Sequence, residues 1–281
     1  MESNVKVKDV ARFLKDKLKF NIFNDPHQLE YVSELIKPTQ ETQAIFVDAE
    51  AGTGKTSLAV SVGYYLMSCG LVDQIIYVRS AVSVRDQGFL PGDLAEKEAP
   101  YMQPGLDALS KLDPKNPKLI ESLLASNQLV IASTSFLRGV DWDGNKFLIV
   151  DEAQNLNLKE LQTVLTRPHD DTKVVVVGSS IQCDDEHATK YGENKLLPFQ
   201  LYAEHFTKYT NLHVVNLPLV TNYRGKFSQL ADKIMDTVDF VNTPPADRGD
   251  APHFKLGLSD KEEADAWEKV GPLIHSRSKR E

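Results

Sequence analysis

The chain carries the sequence AEAGTGKT at residues 49–56, between an apolar run and a pattern typical of a helix. This is the arrangement of a Walker A phosphate loop. Glycines let consecutive backbone N–H groups turn inward around a phosphate, and the N-terminus of the following helix adds partial positive charge. We expect Lys55 to reach the β- and γ-phosphates of a nucleotide and the Thr56 hydroxyl to ligate Mg²⁺. The stretch therefore predicts a P-loop fold.

This loop departs from the usual pattern at its first position, where Ala49 stands in place of glycine. Alanine does not readily adopt a positive φ, so we expect the turn into the loop to differ slightly. Residues 52–56 keep the full pattern. The alternative is a glycine-rich turn with a surface lysine, and a second motif argues against it.

The second motif is FLIVDEAQ at residues 147–154, an apolar strand that ends in two carboxylates. At the carboxyl edge of a parallel sheet, such residues face the crevice where ligands bind. We expect Asp151 to hold Mg²⁺, directly or through water, and Glu152 to accept a proton from attacking water. Alone, the Asp-Glu pair is typical of an ordinary strand end. Downstream of a phosphate loop it is interpreted as a Walker B motif and favours hydrolysis.

A third segment, GSSIQCD at residues 178–184, follows the next apolar strand. Its position predicts that the Gln182 amide lies near the γ-phosphate, where it can orient water and report hydrolysis. By itself the segment is equally typical of a serine-rich turn.

Apolar runs without alternation recur along the chain, which favours parallel strands covered by helices on both faces. Helical patterns separate these runs, so the fold class is predicted to be α/β. The helices are expected at residues 56–67, 118–125, 158–165 and 197–206. The strands are expected at residues 44–47, 75–78, 129–131, 147–150 and 174–177, with a weaker run at 212–215.

The length of 281 residues allows one large domain or two small ones. We expect an ATPase-type domain over residues 1–242, with a helical segment at 1–40, and a peripheral helix and tail over 243–281. Residues 88–109 contain Pro91, Pro100 and Pro104 and are predicted to form a long loop with a short helix at its end.

Composition excludes some classes of protein. The net charge of −8 argues against a surface coated in positive charge for gripping duplex DNA. No apolar run approaches the roughly 18 residues of a membrane helix, and the first residues lack a secretory signal, so we expect a soluble, cytoplasmic protein. Cys69 and Cys183 have no partners at ligand spacing, which disfavours a zinc site or a disulfide framework.

Together these motifs resemble the PhoH family of P-loop ATPases, which is similar to the motor core of superfamily 1 helicases. Further matches are GFLPGDL at residues 88–94, SFLRG at 135–139 and VDEAQN at 150–155. The resemblance covers about residues 20–240. It implies a RecA-like domain, with a mostly parallel sheet between helices, that hydrolyses ATP with Mg²⁺. It also implies coupling to single-stranded RNA and assembly into a homo-oligomeric ring, expected to be a hexamer.

The resemblance also implies roles for individual residues. Gln28 looks like the glutamine that reads adenine, and Arg224 like an arginine that contacts the γ-phosphate; on the residues alone, a helix-surface amide and an ion-pair arginine are equally good interpretations. The residues expected to bind nucleotide are Gln28, Glu50, Ala51, Gly52, Thr53, Gly54, Lys55, Thr56 and Ser57. The expected catalytic residues are Lys55, Glu152, Gln182 and Arg224, and the expected metal ligands are Thr56 and Asp151. The expected nucleic-acid contacts are Gly88, Phe89, Leu90, Pro91, Gly92 and Arg138.

Three further departures from the family pattern affect these expectations. The family favours aspartate where Ser179 stands and arginine where Gln103 and Val140 stand. A hydroxyl at Ser179 is expected to weaken the link between the metal site and Gln182, which would slow hydrolysis. Without arginine at these two positions, fewer cationic side chains lie along the expected RNA path.

The main functional hypothesis is an ATPase coupled to binding or remodelling of RNA or another single-stranded nucleic acid. The alternative is a nucleotide-driven assembly switch that acts on a protein partner without nucleic acid. A small-molecule kinase fits less well, because it would not normally need Glu152. A helicase with two motor domains is not expected within this length, and neither is an added nuclease.

Overall fold

The computed structural model describes residues 5–79, 94–134, 137, 142–183, 189–210, 212–225, 227, 230–231, 233–244 and 260–275. The described strands form one six-stranded sheet in the order β3-β2-β4-β5-β1-β6, and every pair is parallel. The α/β class and the RecA-like P-loop fold are confirmed. The strands are β1 (Ala44–Asp48), β2 (Gln74–Arg79), β3 (Leu129–Ser133), β4 (Lys146–Asp151), β5 (Lys173–Gly178) and β6 (Val214–Pro218).

Helices precede, separate and follow these strands. Helix α2 shows how local sequence sets a boundary, because the Asp25 carboxylate accepts hydrogen bonds from the first backbone amides and Pro26 begins the first turn. In the described parts of the chain, no helix is long and apolar enough to cross a membrane. The helices are α1 (Val7–Leu18), α2 (Pro26–Ile36), α3 (Lys55–Ser68), α4 (Leu94–Leu112), α5 (Leu119–Ala125), α6 (Leu158–Leu165), α7 (Pro198–Tyr209), α8 (Ile234–Asn242) and α9 (Asp260–His275).

The sheet has a hydrophobic core on each face. Along β4, Phe147 and Ile149 belong to one cluster, and Leu148 and Val150 belong to the other. Successive strand residues point to opposite faces, so a run that is apolar throughout requires a cover on both. Helices α1 to α5 pack on the first face, and α6 and α7 on the second. This double cover explains why the strands read as continuous apolar runs.

The prediction of a long loop over residues 88–109 is wrong from Leu94 onward. Helix α4 runs for 19 residues and includes both Pro100 and Pro104. Proline disfavours a helix interior by about 3 kcal/mol because it lacks an N–H and crowds the preceding turn. Packing offsets this cost, since Leu109 and Leu112 are buried in the core. Residues 88–93 lie outside the described part of the chain.

Helix α9 packs against α2. Lys269 forms an ion pair with Glu30, and Val270 is only 1% exposed within the same core that holds α1 to α5. The helix expected within residues 243–281 is therefore present, at Asp260–His275. The division of the chain at residue 242 stays a prediction, although α9 contributes to the core of the preceding segment.

Candidate active site

A cavity of about 750 Å³ lies at the carboxyl edge of the sheet. The central strands β1, β4 and β5 end here, and the loop after β1 leads into α3. In open α/β sheets ligands bind outside the carboxyl ends of the strands, and this volume is ordinary for a small-molecule site. The cavity is lined by Phe20, Ala51, Gly52, Gly54, Lys55, Thr56, Ser57, Arg79, Pro104, Asp151, Glu152, Gln182, Cys183 and Arg224.

The phosphate loop has the backbone geometry that its glycines predict. Gly52 and Gly54 have φ angles of 81° and 86°, and Lys55 is the first residue of α3. Ala49 has no positive φ, and its N–H donates to the Gly178 carbonyl at 3.1 Å. Alanine therefore fits at the first position without strain. The N-terminus of α3 opens onto the cavity and favours an anion there.

The Lys55 side chain lies folded against its own loop. Its residue is 8% exposed, and Nζ donates to the carbonyls of Ala49 at 3.1 Å and Glu50 at 3.3 Å. Burial lowers the pKa of the Lys55 ammonium, and the nearby Glu152 and Asp151 carboxylates oppose that shift. The Glu152 and Asp151 carboxylates thus favour the charged form of the Lys55 side chain, which is buried beside the phosphate loop.

Asp151 is buried, and each of its two carboxylate oxygens accepts a hydrogen bond. Oδ1 accepts from the Thr56 hydroxyl at 2.8 Å, and Oδ2 accepts from the Tyr77 hydroxyl at 2.5 Å. Burial raises the pKa of the Tyr77 hydroxyl well above its usual value, and Asp151 adds to this shift. Thr56 and Asp151 are adjacent hard oxygen ligands on a cavity wall, which is the donor set Mg²⁺ prefers. The residues present therefore fit a magnesium ion.

Glu152 occupies a left-handed backbone conformation, with φ 52° and ψ 43°. This region is uncommon for a residue with a side chain, and such strain often occurs at functional positions. Its carboxylate lies 3.4 Å from the Arg79 guanidinium, and its other oxygen accepts from the Gln154 amide at 2.5 Å. Two side chains thus fix the carboxylate over the cavity.

Gln154 connects the Walker B strand to the next strand. Besides Glu152, its amide nitrogen donates to the Gln182 carbonyl at 3.3 Å, and its amide oxygen accepts from the Ser179 N–H at 3.0 Å. The Ser179 hydroxyl is buried without a hydrogen-bond partner among the described residues. Gln154 therefore connects Glu152 to Gln182, and the weaker link between the metal site and Gln182 expected from Ser179 stays a prediction.

Gln28 lies beneath the loop and does not line the cavity. It is 4% exposed, and its amide nitrogen donates to the Thr53 carbonyl at 2.9 Å. The helix-surface alternative is wrong because the side chain is buried. The adenine-reading role stays a prediction. Phe20, which lines the cavity, was not expected from the sequence.

Arg224 comes from the turn after β6 and lies against the phosphate loop. A side chain built on Gly52 would place Cβ 2.7 Å from Cγ of Arg224, and the Tyr223 N–H donates to the Gly52 carbonyl at 2.9 Å. The Tyr223 hydroxyl also donates to Asp25 at 2.8 Å. Within the described residues Arg224 forms no ion pair, which disfavours the alternative of a structural ion-pair arginine.

The structure brings most of the predicted site together. All four expected catalytic residues and both expected metal ligands line the cavity. Of the expected nucleotide-binding residues, Gln28, Glu50 and Thr53 do not line it; Thr53 Oγ1 donates to the Glu50 carbonyl at 3.0 Å and braces the loop. The expected nucleic-acid contacts Gly88, Phe89, Leu90, Pro91, Gly92 and Arg138 lie outside the described residues.

Sequence reasoning missed the residues that hold the carboxylates. Tyr77 and Arg79 lie on β2, and Arg79 pairs in register with Asp151 of β4. Gln154 belongs to the FLIVDEAQ motif, whose pattern predicts no role for it. No local signal in the sequence indicates Tyr77, because strand register places it beside Asp151 across 74 residues.

Comparison with known proteins identifies a matching family and several similar proteins. Residues 23–235 match a family described as PhoH-like protein. The chain is 37% identical over 161 residues to a PhoH-like protein of Mycobacterium leprae, covering 53% of this chain and 45% of that protein. It is 35% identical over 166 residues to a PhoH-like protein of Bacillus subtilis, covering 59% and 50%.

A third relative, Protein PhoH of Escherichia coli, is 34% identical over 160 residues, covering 56% of this chain and 43% of that protein. The aligned part spans about half the length of each of these curated relatives.

Proposed function

The chain belongs to the PhoH family, and from that premise we propose that it binds ATP and hydrolyses it with Mg²⁺. One observation carries the proposal: Lys55 and Thr56 at the start of α3, and Asp151 and Glu152 at the end of β4, converge on one cavity. Each belongs to a motif whose chemistry suits phosphoryl transfer to water. The cavity volume of about 750 Å³ suits a nucleotide.

The binding step uses the loop and Lys55. Backbone N–H groups of residues 51–56 and the N-terminus of α3 receive the phosphates. Lys55 exchanges its contacts with the Ala49 and Glu50 carbonyls for phosphate oxygens. The negative charge of the phosphates then opposes the effect of burial, which lowers the pKa of Lys55. Thr56 and Asp151 would hold magnesium, which neutralises phosphate charge when bound.

The hydrolytic step uses Glu152 and the groups around it. Glu152 accepts a proton from water, and the Gln154 amide and the Arg79 guanidinium hold its carboxylate in place. Arg224, beside the loop, stabilises negative charge that develops on the phosphate. Gln182 lines the same cavity and orients water.

Coupling to single-stranded RNA is the finer part of the proposal. It is supported by the family resemblance at residues 88–94 and 135–139, where the expected phosphate contacts lie. Because the chain has a net charge of −8, we expect RNA to follow a narrow path on the surface. The affinity for RNA should fall as the salt concentration rises.

An exposed apolar face favours the second candidate, a nucleotide-driven assembly switch with a protein partner. Phe227 is 89% exposed, and large apolar residues follow it at spacings of three or four along α8 and the segment before it. Such a face favours a protein surface over a nucleic acid, and a ring of copies would cover it. The face consists of Phe227, Leu230, Ile234, Val238 and Val241.

Two variants and one ligand test these proposals. We expect Lys55→Ala to abolish ATP binding and Glu152→Gln to retain binding while losing hydrolysis. Wild-type turnover in Glu152→Gln would contradict the role of Glu152. Adding single-stranded RNA should raise the ATPase rate in a salt-dependent way. If RNA neither binds nor stimulates, the assembly switch is favoured, and size measurement with and without ATP and Mg²⁺ then tests for a ring.

A further inference from the structure

A second cavity lies at the amino edge of the sheet, at the opposite end of the strands from the phosphate loop. Its volume is about 350 Å³. Lys146 and Lys173, the first residues of β4 and β5, line it together with the end of α3 and the segment before β1. None of its lining residues lines the candidate active site.

Two buried lysines on adjacent strands are the unusual feature of this cavity. Lys146 is 8% exposed and Lys173 is 5% exposed, although lysine is rarely buried unless it is paired. Lys173 donates to the carbonyls of Thr42 and Glu34. Lys146 has no hydrogen bond or ion pair to any residue in the described ranges. The cavity therefore contains a lysine side chain that has no partner among the described residues.

Nearby carboxylates do not neutralise Lys146. The Glu34 carboxylate accepts from Lys37 at 2.5 Å and from the Thr42 hydroxyl at 2.6 Å, so both of its oxygens are engaged. Asp171, on the rim, is exposed to solvent and forms no ion pair with either buried lysine among the described residues. A bound anion would supply a charged partner for Lys146 inside the cavity, where such a pair is stronger than in open water.

Part of the remaining lining is apolar, and the polar part consists of Lys37, Thr39, Gln40, Asn145 and Asp171. Leu66, Leu71 and Val72 line the cavity beside the lysines and keep some exposed surface, 6% for Leu66 and 7% for Val72. Small-molecule sites typically combine an apolar lining with a few polar groups that fix orientation, in cavities of roughly 300 Å³ or more. Charge and lining together describe a ligand with an anionic head and an apolar body.

We propose that this cavity binds a small organic anion, whose phosphate or carboxylate head contacts Lys146 and Lys173 and whose apolar body packs against Leu66 and Leu71. The proposal does not depend on ATP binding, because it uses no residue of the phosphate loop.

Proton uptake on binding gives the proposal a distinctive signature. Burial lowers the pKa of Lys173 to about 7; Glu34 and Glu41 raise it, and Lys37 lowers it. An anion placed beside the amine would raise this pKa again. Lys146 lines the same cavity from the adjacent strand. Binding slightly above neutral pH therefore takes up part of a proton.

Calorimetric titration of the full chain with phenyl phosphate, benzoate and inorganic phosphate tests the site. We expect one of the two aromatic anions to bind more tightly than inorganic phosphate and to take up protons, measured in buffers of different ionisation enthalpy. Lys146→Met and Lys173→Met should each weaken binding by about tenfold or more, because each removes a charged contact. Thermal unfolding checks that both variants fold.

Matched lysine variants separate this cavity from other sites. Lys55→Met alters the phosphate loop, and Lys208→Met removes an exposed ion pair on α7; neither should change affinity. Binding lost in Lys55→Met and retained in both cavity variants would assign the anion to the phosphate loop and overturn the proposal. No binding at millimolar concentration, or equal binding of inorganic phosphate, would also overturn it.

Discussion

The side-chain amide of Gln154 donates to the Glu152 carboxylate at 2.5 Å, and both residues belong to the same motif after β4. The same amide nitrogen contacts the Gln182 carbonyl, and the amide oxygen accepts from the Ser179 N–H. An amide can make these contacts because it both donates and accepts. Gln154 thus joins the proposed proton acceptor to the end of β5.

Replacing Gln154 with glutamate tests this connection. Gln154→Glu keeps the shape of the side chain, removes the donor to Glu152 and places two carboxylates together. We expect kcat for ATP hydrolysis to fall by roughly ten- to a hundredfold, with little change in ATP affinity, because the proton acceptor is misplaced. Gln162→Glu, on the exposed side of α6, is the matched control. Equal turnover in both variants would exclude the positioning role.

Tyr77 is expected to position Asp151. Tyr77→Phe removes the 2.5 Å hydrogen bond and leaves a buried carboxylate oxygen without its donor. We expect the free energy of unfolding to fall by about 1–3 kcal/mol. We also expect the Mg²⁺ concentration for half-maximal hydrolysis to rise. Tyr209→Phe, at a residue 74% exposed, controls for the loss of a hydroxyl. Unchanged magnesium dependence in Tyr77→Phe would show that the contact is purely structural.

Gly52 and Gly70 both have a positive φ, so comparing their alanine variants distinguishes backbone strain from steric contact with neighbouring side chains. A Cβ at Gly52 would lie 2.5 Å from the Asn222 amide oxygen and 2.7 Å from Cγ of Arg224, whereas a Cβ at Gly70 meets nothing within 4 Å. Both alanine variants carry a backbone cost of about 1–2 kcal/mol. We expect only Gly52→Ala to weaken nucleotide binding, by more than about tenfold, in a fluorescent-nucleotide titration. If Gly70→Ala weakens it equally, general destabilisation is the cause.

The buried Lys173 predicts how stability depends on pH. Its pKa in the folded chain is about 7, below the ordinary 10.5, so above pH 7 the unfolded chain binds a proton that the folded chain does not. Stability therefore rises with pH, by about 1 kcal/mol per unit between about pH 7 and 9. Lys55, whose pKa is also lowered by burial, contributes in the same direction.

Denaturant unfolding at several pH values measures this slope. Lys173→Met should flatten it in large part, with the remainder coming from Lys55. Lys208→Met provides the control, because its pKa is raised by Glu204 and it titrates above this window. If the dependence of stability on pH is unchanged in Lys173→Met, the Lys173 side chain is protonated in the folded chain over this pH range.

Much of the fold could be predicted because its signals are local. Five apolar runs and a weaker sixth correspond to the six strands, and helix α6 begins and ends at the predicted residues. The same local reasoning failed at α4, because three prolines indicated a loop while packing of Leu109 and Leu112 favoured a helix. The destabilising effect of a proline on a helix can be read from the sequence. The burial of Leu109 and Leu112 cannot, because it depends on which other segments pack against the helix.

The sequence by itself determined the chemistry of the site. Lys55 and Thr56 follow their glycines by fixed spacing, and Asp151 and Glu152 end an apolar strand, so short-range backbone geometry places each group. Tertiary structure alone decided the contacts that orient them. Tyr77 and Arg79 reach the carboxylates through the register of β2 on β4, and Gln28 reaches Thr53 across 25 residues. Such contacts follow from packing between distant segments, which no local pattern encodes.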